Sequence, residues 1–226
     1  MGVDWYNMIA RKNGGYRSTA EFTIEGSTAE DLFENTLVSM LPQYSAVLDA
    51  GCGHGDFTLK MGRSGVHIIG FDNSIEMITL ANSLHNREKL KNVEFVYTTT
   101  KTEMPFADEQ FDLIYSRRGP TSIINHSHLL KSGGTIMGIH SGNLDVVIQR
   151  LEVKGYRDIE MNEYRNAMYY FSNEQEYAKF LSDIPGNPDF TVPEKQDELR
   201  LKIQENMING RIGVQEYKYI WKAIKS

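Results

Sequence analysis

An acid, three alternating glycines and a second acid further on are the residues of this sequence best suited to holding a ligand. In VLDAGCGHGDFT, residues 47–58, an apolar run reaches Asp49 and then turns through Gly51, Gly53 and Gly55. Such a run ending in glycines reads as a buried strand that delivers a loop at its carboxyl end. Glycine lets that backbone take positive φ and approach a ligand more closely than any Cβ would permit. Ligands of open α/β sheets bind at such loops. The spacing is G-x-G-x-G rather than the dinucleotide G-x-G-x-x-G, and no Lys-Ser or Lys-Thr pair follows to complete a phosphate loop. Asp49 would repel a pyrophosphate, whereas a carboxylate there suits a ligand carrying a cationic amine. Taken alone, the loop can also be a tight strand–helix turn that binds nothing.

The next apolar run, VHIIGFDNS at 66–74, ends at Asp72, with Ser74 positioned to cap a helix over 75–83. Asp72 stands 21 positions after Gly51 (72 − 51), near the spacing of about 20 residues at which an acid grips a ribose. One carboxylate for an amine and one for a ribose, around bare backbone, describe an amino-acid nucleoside. On these residues the chain resembles the class I S-adenosylmethionine-dependent methyltransferases. Asp49, Gly51, Gly53 and Gly55 match the first motif of that family, and Asp72 matches its ribose acid. The resemblance continues through VEFVYTTTKTEMPFADEQFDLIYS at 93–116, KSGGTIMGIH at 131–140 and the terminal EYKYIWKAIK. It covers roughly residues 40–171 and 214–225.

The resemblance implies a cofactor, S-adenosylmethionine, and a set of residues around it. These are Asp49, Gly51, Cys52, Gly53 and Gly55 in the loop, then Asp72, Asn73 and Met77, then Thr100, Lys101 and Ser116, with Tyr16 from the N-terminal segment. Thr100 is a departure, because the family has an acid there to receive the adenine amino group. Its hydroxyl can still accept a hydrogen bond, without charge assistance, and Lys101 can offer its backbone N–H. Strand-end threonines with no ligand fit Thr98–Thr100 equally. Tyr16 or Arg17 can meet the methionine carboxylate, although hydrophobic anchoring explains the aromatics Trp5, Tyr6, Tyr16 and Phe22 as well.

A sulfonium methyl is already activated, so catalysis can rest on holding a nucleophile in line at about 3–3.5 Å. A base matters only if the nucleophile must lose a proton. Residues after the fourth and fifth strands would face that methyl, and Arg117 and His140 are the catalytic candidates. Of the adjacent Arg117 and Arg118, only one is expected to point inward from an extended segment. Arg117 suits a carboxylate or phosphate through its planar fork, or else makes a surface salt bridge. His140 can act as a general base or be a satisfied strand-end histidine. His126 and His128 belong to no metal-ligand set and are expected to face solvent, as is His54 in the loop; no metal is expected.

These residues require a scaffold, and the pattern supplies one. Ser27-Thr28-Ala29-Glu30 reads as a capping-box start, followed by a helix with Phe33, Leu37, Met40 and Leu41 on one face. Strands are expected near 46–50, 66–71, 93–97, 111–115 and 135–140, a helix over 144–153, and strand over 157–171 with a break near 162–166. This alternation with helices predicts an α/β fold. With the family resemblance it becomes a doubly wound, mostly parallel, seven-stranded Rossmann-like sheet with an antiparallel final strand. The chain is expected to form a single methyltransferase domain over 1–226. Residues 1–26 form an N-terminal cap segment, and 172–213 a helical insertion with one helix over 173–182 and another carrying Leu199, Ile203 and Met207. That insertion can be a lid over the site or ordinary packing.

Composition narrows the function. A length of 226 residues with 40% hydrophobic residues supports a sizeable core. No apolar run approaches a membrane span, and the N-terminus lacks the apolar core of a secretory signal. A single cysteine, Cys52, suits a reducing cytoplasm. A net charge of −6 without a long basic run argues against a nucleic-acid substrate. The expected function is methyl transfer to a small molecule by a monomer or homodimer. An RNA or protein methyltransferase and a catalytically silent S-adenosylmethionine binder are the alternatives, with a dinucleotide oxidoreductase a weaker one.

Overall fold

Apolar runs bounded by turn residues become the strands of one large twisted sheet. The computed structural model describes residues 3–226; Met1 and Gly2 of the expected cap segment lie outside the described residues. Helix α1 (Val3–Asn13) and strand β1 (Phe22–Glu25) come first, followed by α2 (Ala29–Met40). Then β2 (Ala46–Ala50), α3 (Asp56–Gly62), β3 (His67–Asp72), α4 (Ile75–Glu88), β4 (Val93–Tyr97) and β5 (Phe111–Arg117) alternate. A run of 3-10 turns over Thr121–Leu129 leads into β6 (Leu130–His140), α5 (Leu144–Val153) and β7 (Tyr156–Tyr164). The remainder is β8 (Met168–Phe171), α6 (Glu174–Ser182), α7 (Gln196–Glu205), β9 (Met207–Ile208), β10 (Arg211–Gln215) and β11 (Lys218–Lys225).

The seven-stranded sheet has the order β4-β3-β2-β5-β6-β11-β7, with β4 to β6 parallel and β11 antiparallel to both its neighbours. This is the doubly wound, mostly parallel architecture that the sequence predicts. Alternation along β2 sends Val47 to the core under α2 and α3, and Leu48 to the opposite core with Ile114, Ile136 and Trp221. Both faces are covered, which is why these strands read as continuous apolar runs. The chain leaves β2 toward β3 and β4, then returns to β2's other side as β5. Strand order therefore reverses between β2 and β5, and at such a switch point the crevice beyond the strand ends is open to a ligand.

A second sheet departs from the sequence reading. Strands β1, β8, β10 and β9 pair antiparallel in that order. The stretch expected as strand over 157–171 with a break near 162–166 does break, after Tyr164, and its two parts fall in different sheets, while the region 172–213 holds strands as well as helices. Its α6 and α7 pack on this sheet through Tyr177, Leu181, Leu199 and Ile203 against Phe171 and Ile212. Met207 does not continue the helical face; it lies in β9, exposed, beside a hairpin turned by Asn209 (φ 50°) and Gly210 (φ 78°). An Asn-Gly pair with positive φ at both positions fits the tightest hairpin turn.

Helix α2 starts one residue later than the capping motif suggests. Thr28 Oγ1 accepts from the Asp31 N–H at 3.1 Å, and the Asp31 carboxylate accepts from the Thr28 N–H at 3.4 Å. Glu30 is thereby released from capping. Ser74 does cap α4 as expected, accepting from the Met77 N–H at 3.2 Å. Helix α4 runs on to Glu88, five residues past the expected end at Ser83 (88 − 83). Replacing Thr28 by Ala is expected to cost about 1 kcal/mol in denaturant unfolding. Ser27→Ala, at an exposed position, is expected to stay within about 0.5 kcal/mol.

Candidate active site

The loop after β2 is held in shape by its own backbone. The Gly51 and Cys52 N–H groups both donate to the Phe71 carbonyl at 2.9 Å, and the Gly53 N–H donates to Asp72 Oδ2 at 3.0 Å. Asp72 also accepts the Ser74 N–H through Oδ1 at 2.9 Å, so one carboxylate ties the end of β3 to both the loop and α4. Gly53, at φ 55°, has open space where a Cβ would stand. Gly55, at φ 81°, caps α3, and a Cβ there would meet Phe95 and Ala81 at 2.6 and 2.8 Å. Gly53 is the glycine suited to close ligand approach, whereas Gly55 is required by packing.

Asp49 lies deeper. Its Oδ2 accepts from Thr58 Oγ1 at 2.6 Å and from the Tyr115 hydroxyl at 2.9 Å. Burial pushes its carboxyl up to about 6, against the opposing pull of these two hydrogen bonds. Burial also raises Asp72, opposed by the backbone N–H groups of Ser74, Gly53 and Asn73.

Two cavities are lined by this loop, and a third adjoins them. The first, of about 150 Å³, lies between Gly51, Gly53, Asp72 and Met77 on one side and Tyr6 and Tyr16 on the other, with Asn73 and Thr100 in its wall. The second, of about 260 Å³, contains Asp49, Cys52, His54 and Asp56. The third, of about 550 Å³, lies under the second sheet and is walled by Phe22, Tyr169, Phe180 and Val214 with Glu216 and Lys218. Tyr16, Arg117 and Arg118 line all three. The N-terminal segment closes the first cavity from above because α1 packs on α4 through Ile9, Ala10 and Met77, and the Ser74 hydroxyl donates to Asn7 Oδ1 at 2.6 Å.

Both arginines point into the junction, where only Arg117 was expected. Arg118 has φ 62°, and this left-handed residue undoes the alternation that an extended segment would impose. Arg117 Nε donates to Glu30 Oε2 at 2.6 Å, Arg118 Nε lies 3.1 Å from Oε1, and Lys218 Nζ donates to Oε1 at 2.7 Å. The Arg117 guanidinium also lies 4.4 Å from the centre of the Phe57 ring, and that of Arg118 5.2 Å from the centre of Tyr16. Burial alone would raise the Glu30 carboxyl, but Arg118, Lys218 and Arg117 together hold it at about 2. Glu30 is the principal site residue that the sequence reading misses. Its only local signal is the capping pattern, and its partners come from β5 and β11.

Other expectations are corrected by the packing. His140 is buried outside the three cavities. Its Nε2–H donates to the Gly119 carbonyl at 2.9 Å, its Nδ1 accepts from Trp221 Nε1 at 3.1 Å, and burial lowers its pKa. It is a satisfied strand-end histidine with no nitrogen free for a substrate. Ser116 is fully buried and hydrogen-bonds the Ala50 carbonyl at 3.3 Å. Lys101 is exposed away from the cavities, and its N–H donates to Thr99 Oγ1 at 3.3 Å. Gly55 likewise lies outside the cavity walls. Thr100 does line the first cavity, with its hydroxyl 2.6 Å from that of Ser122. His54 is buried, not outward: its Nδ1 accepts the Tyr16 N–H at 3.3 Å, and its Nε2 stands 3.2 Å from Asp56. His126 is half-buried on the Thr100 carbonyl at 3.0 Å, and His128 is exposed. Among the described residues no group of His, Cys, Asp and Glu has the makings of a metal site.

Comparison with known proteins agrees with this fold. The methyltransferase domain family matches residues 43–177, more than half of the chain. The chain belongs to that family, the S-adenosylmethionine-dependent methyltransferases. A malonyl-[acyl-carrier protein] O-methyltransferase of Erwinia billingiae is 37% identical over 75 residues, 33% of this chain and 27% of that protein. A 23S rRNA uracil C5-methyltransferase of Haemophilus influenzae is 32% identical over 77 residues, 33% of this chain and 18% of that one. These matches span less than a third of the relatives' lengths. A functionally unknown protein from Deinococcus radiodurans has the same fold, with a TM-score of 0.73 at 22% identity over 99% of this chain and all of that one.

Glu30 gives a stability test. Its folded pKa, about 2, lies below the ordinary 4.5, so its contribution is complete above about pH 4.5 and is lost as pH falls toward 2. Glu30→Gln leaves three cations around a neutral amide and is expected to cost roughly 3 kcal/mol in denaturant unfolding at pH 7. The difference from the parent should shrink as pH is lowered through that window.

Proposed function

We propose that the protein transfers the methyl group of S-adenosylmethionine to a small-molecule acceptor held in the third cavity. The observation that carries this reading is the meeting of three cavities at Tyr16, Arg117 and Arg118, one of them roofed by the second sheet. On this reading the adenosine lies along the first cavity, with Asp72 accepting from the ribose hydroxyls and Asn73, Met77 and Thr100 beside the base. The methionine end lies in the second cavity, its ammonium toward Asp49 and its main chain over Gly51, Cys52 and Gly53. The methyl then projects toward the third cavity. Arg117 and Tyr16 border the transfer point, and His140 takes no part. The chain acts as one methyltransferase unit, with residues 1–26 covering the cofactor and 172–213 building the acceptor roof.

A roofed cavity on an acidic chain favours a small acceptor over RNA, although one of the relatives acts on 23S rRNA. No helix among the described residues is long and apolar enough to cross a membrane. A single buried cysteine suits a reducing, cytoplasmic setting.

Calorimetry with S-adenosylhomocysteine tests the cofactor half. Asp72→Ala is expected to weaken binding by roughly 100-fold or more, through the loss of charge-assisted hydrogen bonds, with an unchanged circular-dichroism spectrum. Unchanged affinity would remove Asp72 from the site. Asp49 adds a pH dependence. Its folded carboxyl, at about 6, is raised above the ordinary 3.8, so its contribution to stability is present below about pH 4 and lost as pH rises through about 6. A cationic ligand favours the ionised form. Affinity should therefore rise roughly tenfold between pH 5 and 7, and Asp49→Asn should flatten that rise.

A further inference from the structure

Resting on that reading, we infer that the acceptor is a small carboxylate on an apolar body, and that the methyl group is transferred to its carboxylate oxygen. A carboxylate lone pair forms the new O–CH3 bond while the carbon–sulfur bond of the sulfonium breaks. The electron pair of that bond stays on sulfur, giving the neutral thioether. One negative and one positive charge disappear together, and no proton moves.

Charge in the third cavity favours such an acceptor. Arg17, Arg117, Arg118 and Lys218 line it against Glu30, Glu216 and Asp183, one cation in excess in the wall itself, with Arg17 also 3.6 Å from Asp56 outside it. The three acids are already engaged. Glu30 is held by three cations. Glu216 accepts from the Ala29 N–H at 2.8 Å and the Tyr169 hydroxyl at 3.0 Å. Asp183 accepts from the Ser18 hydroxyl and the Thr19 N–H, each at 2.8 Å. A cationic acceptor would meet this excess and the sulfonium as well. An anion is drawn to both.

Arg117 and Arg118 each face Glu30 through Nε, and no Nη of either donates a hydrogen bond among the described residues. Two guanidinium edges therefore remain open at the junction of the cavities, and their fixed planar donors match a carboxylate. Much of the remaining wall is apolar, from Phe22, Ile24, Phe180, Ile184 and Val214, with Ser18, Thr28, Ser141 and Gln215 as its uncharged polar positions. A volume of about 550 Å³ lies within the range of small-molecule pockets. The proton balance agrees. An alcohol, phenol or ammonium acceptor would have to lose a proton, yet both nitrogens of His140 are occupied and the acids at the junction are bound. A carboxylate needs no base.

The test starts with S-adenosylhomocysteine binding to the parent protein by calorimetry; failure there sinks the methyltransferase reading itself. The loaded protein is then titrated with straight-chain acids from hexanoate to dodecanoate and with 3-phenylpropionate, each beside its amide and its amine. At least one acid is expected to bind about tenfold or more tightly than both of its partners. With S-adenosylmethionine, mass spectrometry should then find its methyl ester. Amides or amines binding as well as the acids, or no acid binding at all, would overturn the inference while leaving the cofactor reading intact. Arg118→Gln should bring the acid-to-amide ratio within about threefold of unity. If that variant also loses S-adenosylhomocysteine, Lys218→Gln, outside the cofactor cavities, serves instead. A fall in the ratio of about threefold or more supports the inference, and an unchanged ratio overturns it.

Discussion

Three cations converge on one carboxylate at the carboxyl end of the sheet, and that convergence governs how the site can be arranged. Arg117 and Arg118 leave the end of β5, Lys218 opens β11, and Glu30 lies in the first turn of α2. Brought together without Glu30, the cations would repel at short range in a half-buried setting, where Coulomb terms are far larger than in water. With Glu30 present they become a clamp that fixes where α2, β5 and β11 stand relative to one another. Glu216 extends it, accepting from the α2 backbone at Ala29 while Lys218 Nζ lies 3.5 Å away. Its hydrogen bond from Tyr169, on β8, ties the second sheet to the same cluster. The roof of the third cavity is thus anchored to the polar centre beneath it.

The N-terminal segment depends on contacts of a different kind. It has no strand in the large sheet; Ile9 and Ala10 seat α1 on Met77 of α4, and small polar and aromatic contacts add to that hold. Arg11 Nη2 donates to Glu76 at 2.7 Å, Asn7 meets Ser74, and Asp183 receives Ser18 and Thr19. Trp5, Tyr6 and Tyr16 pack edge to face above the first cavity. The exposed Arg11–Glu76 ion pair contributes little. The segment can therefore cover a bound nucleoside without belonging to the core that forms the loop beneath it.

Most of the large sheet is legible in the sequence because its signals are local. β2, β4 and α5 have the expected bounds, since each is an apolar run or helical face bounded by turn residues. Asp49, Asp72 and Gly53 are legible for the same reason: a strand end, a glycine and an acid lie next to one another in the chain. What escapes the sequence is non-local or conformationally exceptional. The second sheet pairs Phe22 with Phe171 and Phe171 with Ile212; only the segment of Phe171 reads as strand in the sequence, and its partners from 22–25 and 211–215 are too short to announce themselves. Arg118 defeats the alternation argument through one left-handed residue. Ser116 and His140 stand at strand ends that face the cleft in general position, yet β5 runs on to Arg117 and buries Ser116, while Gly119 and Trp221 close over His140 at the end of β6. The Asn209–Gly210 hairpin is the exception, a local signal present in the sequence and outweighed by the helical pattern before it.

The carboxylates of the site divide by how well their charge is compensated, and that division follows from their surroundings. Glu30 has three cationic partners and is held at about 2, so its charge is fully compensated before any ligand arrives. Asp49 has only two hydroxyl donors and is raised to about 6, so a substantial part of the cost of its burial is unrelieved. Asp72 has backbone donors but no cation, and is raised as well. A protein with uncompensated acids beside empty space pays in stability for a charge that a ligand can neutralise, and stability traded for function in this way is found at active sites. Glu30 is therefore a structural centre, and Asp49 with Asp72 form the receptive one. A ligand that joins a cationic ammonium to a ribose suits both acids of the receptive centre; on the proposed reading its sulfonium lies near the clamp, and a neutral or anionic acceptor then approaches without opposing the charge already there.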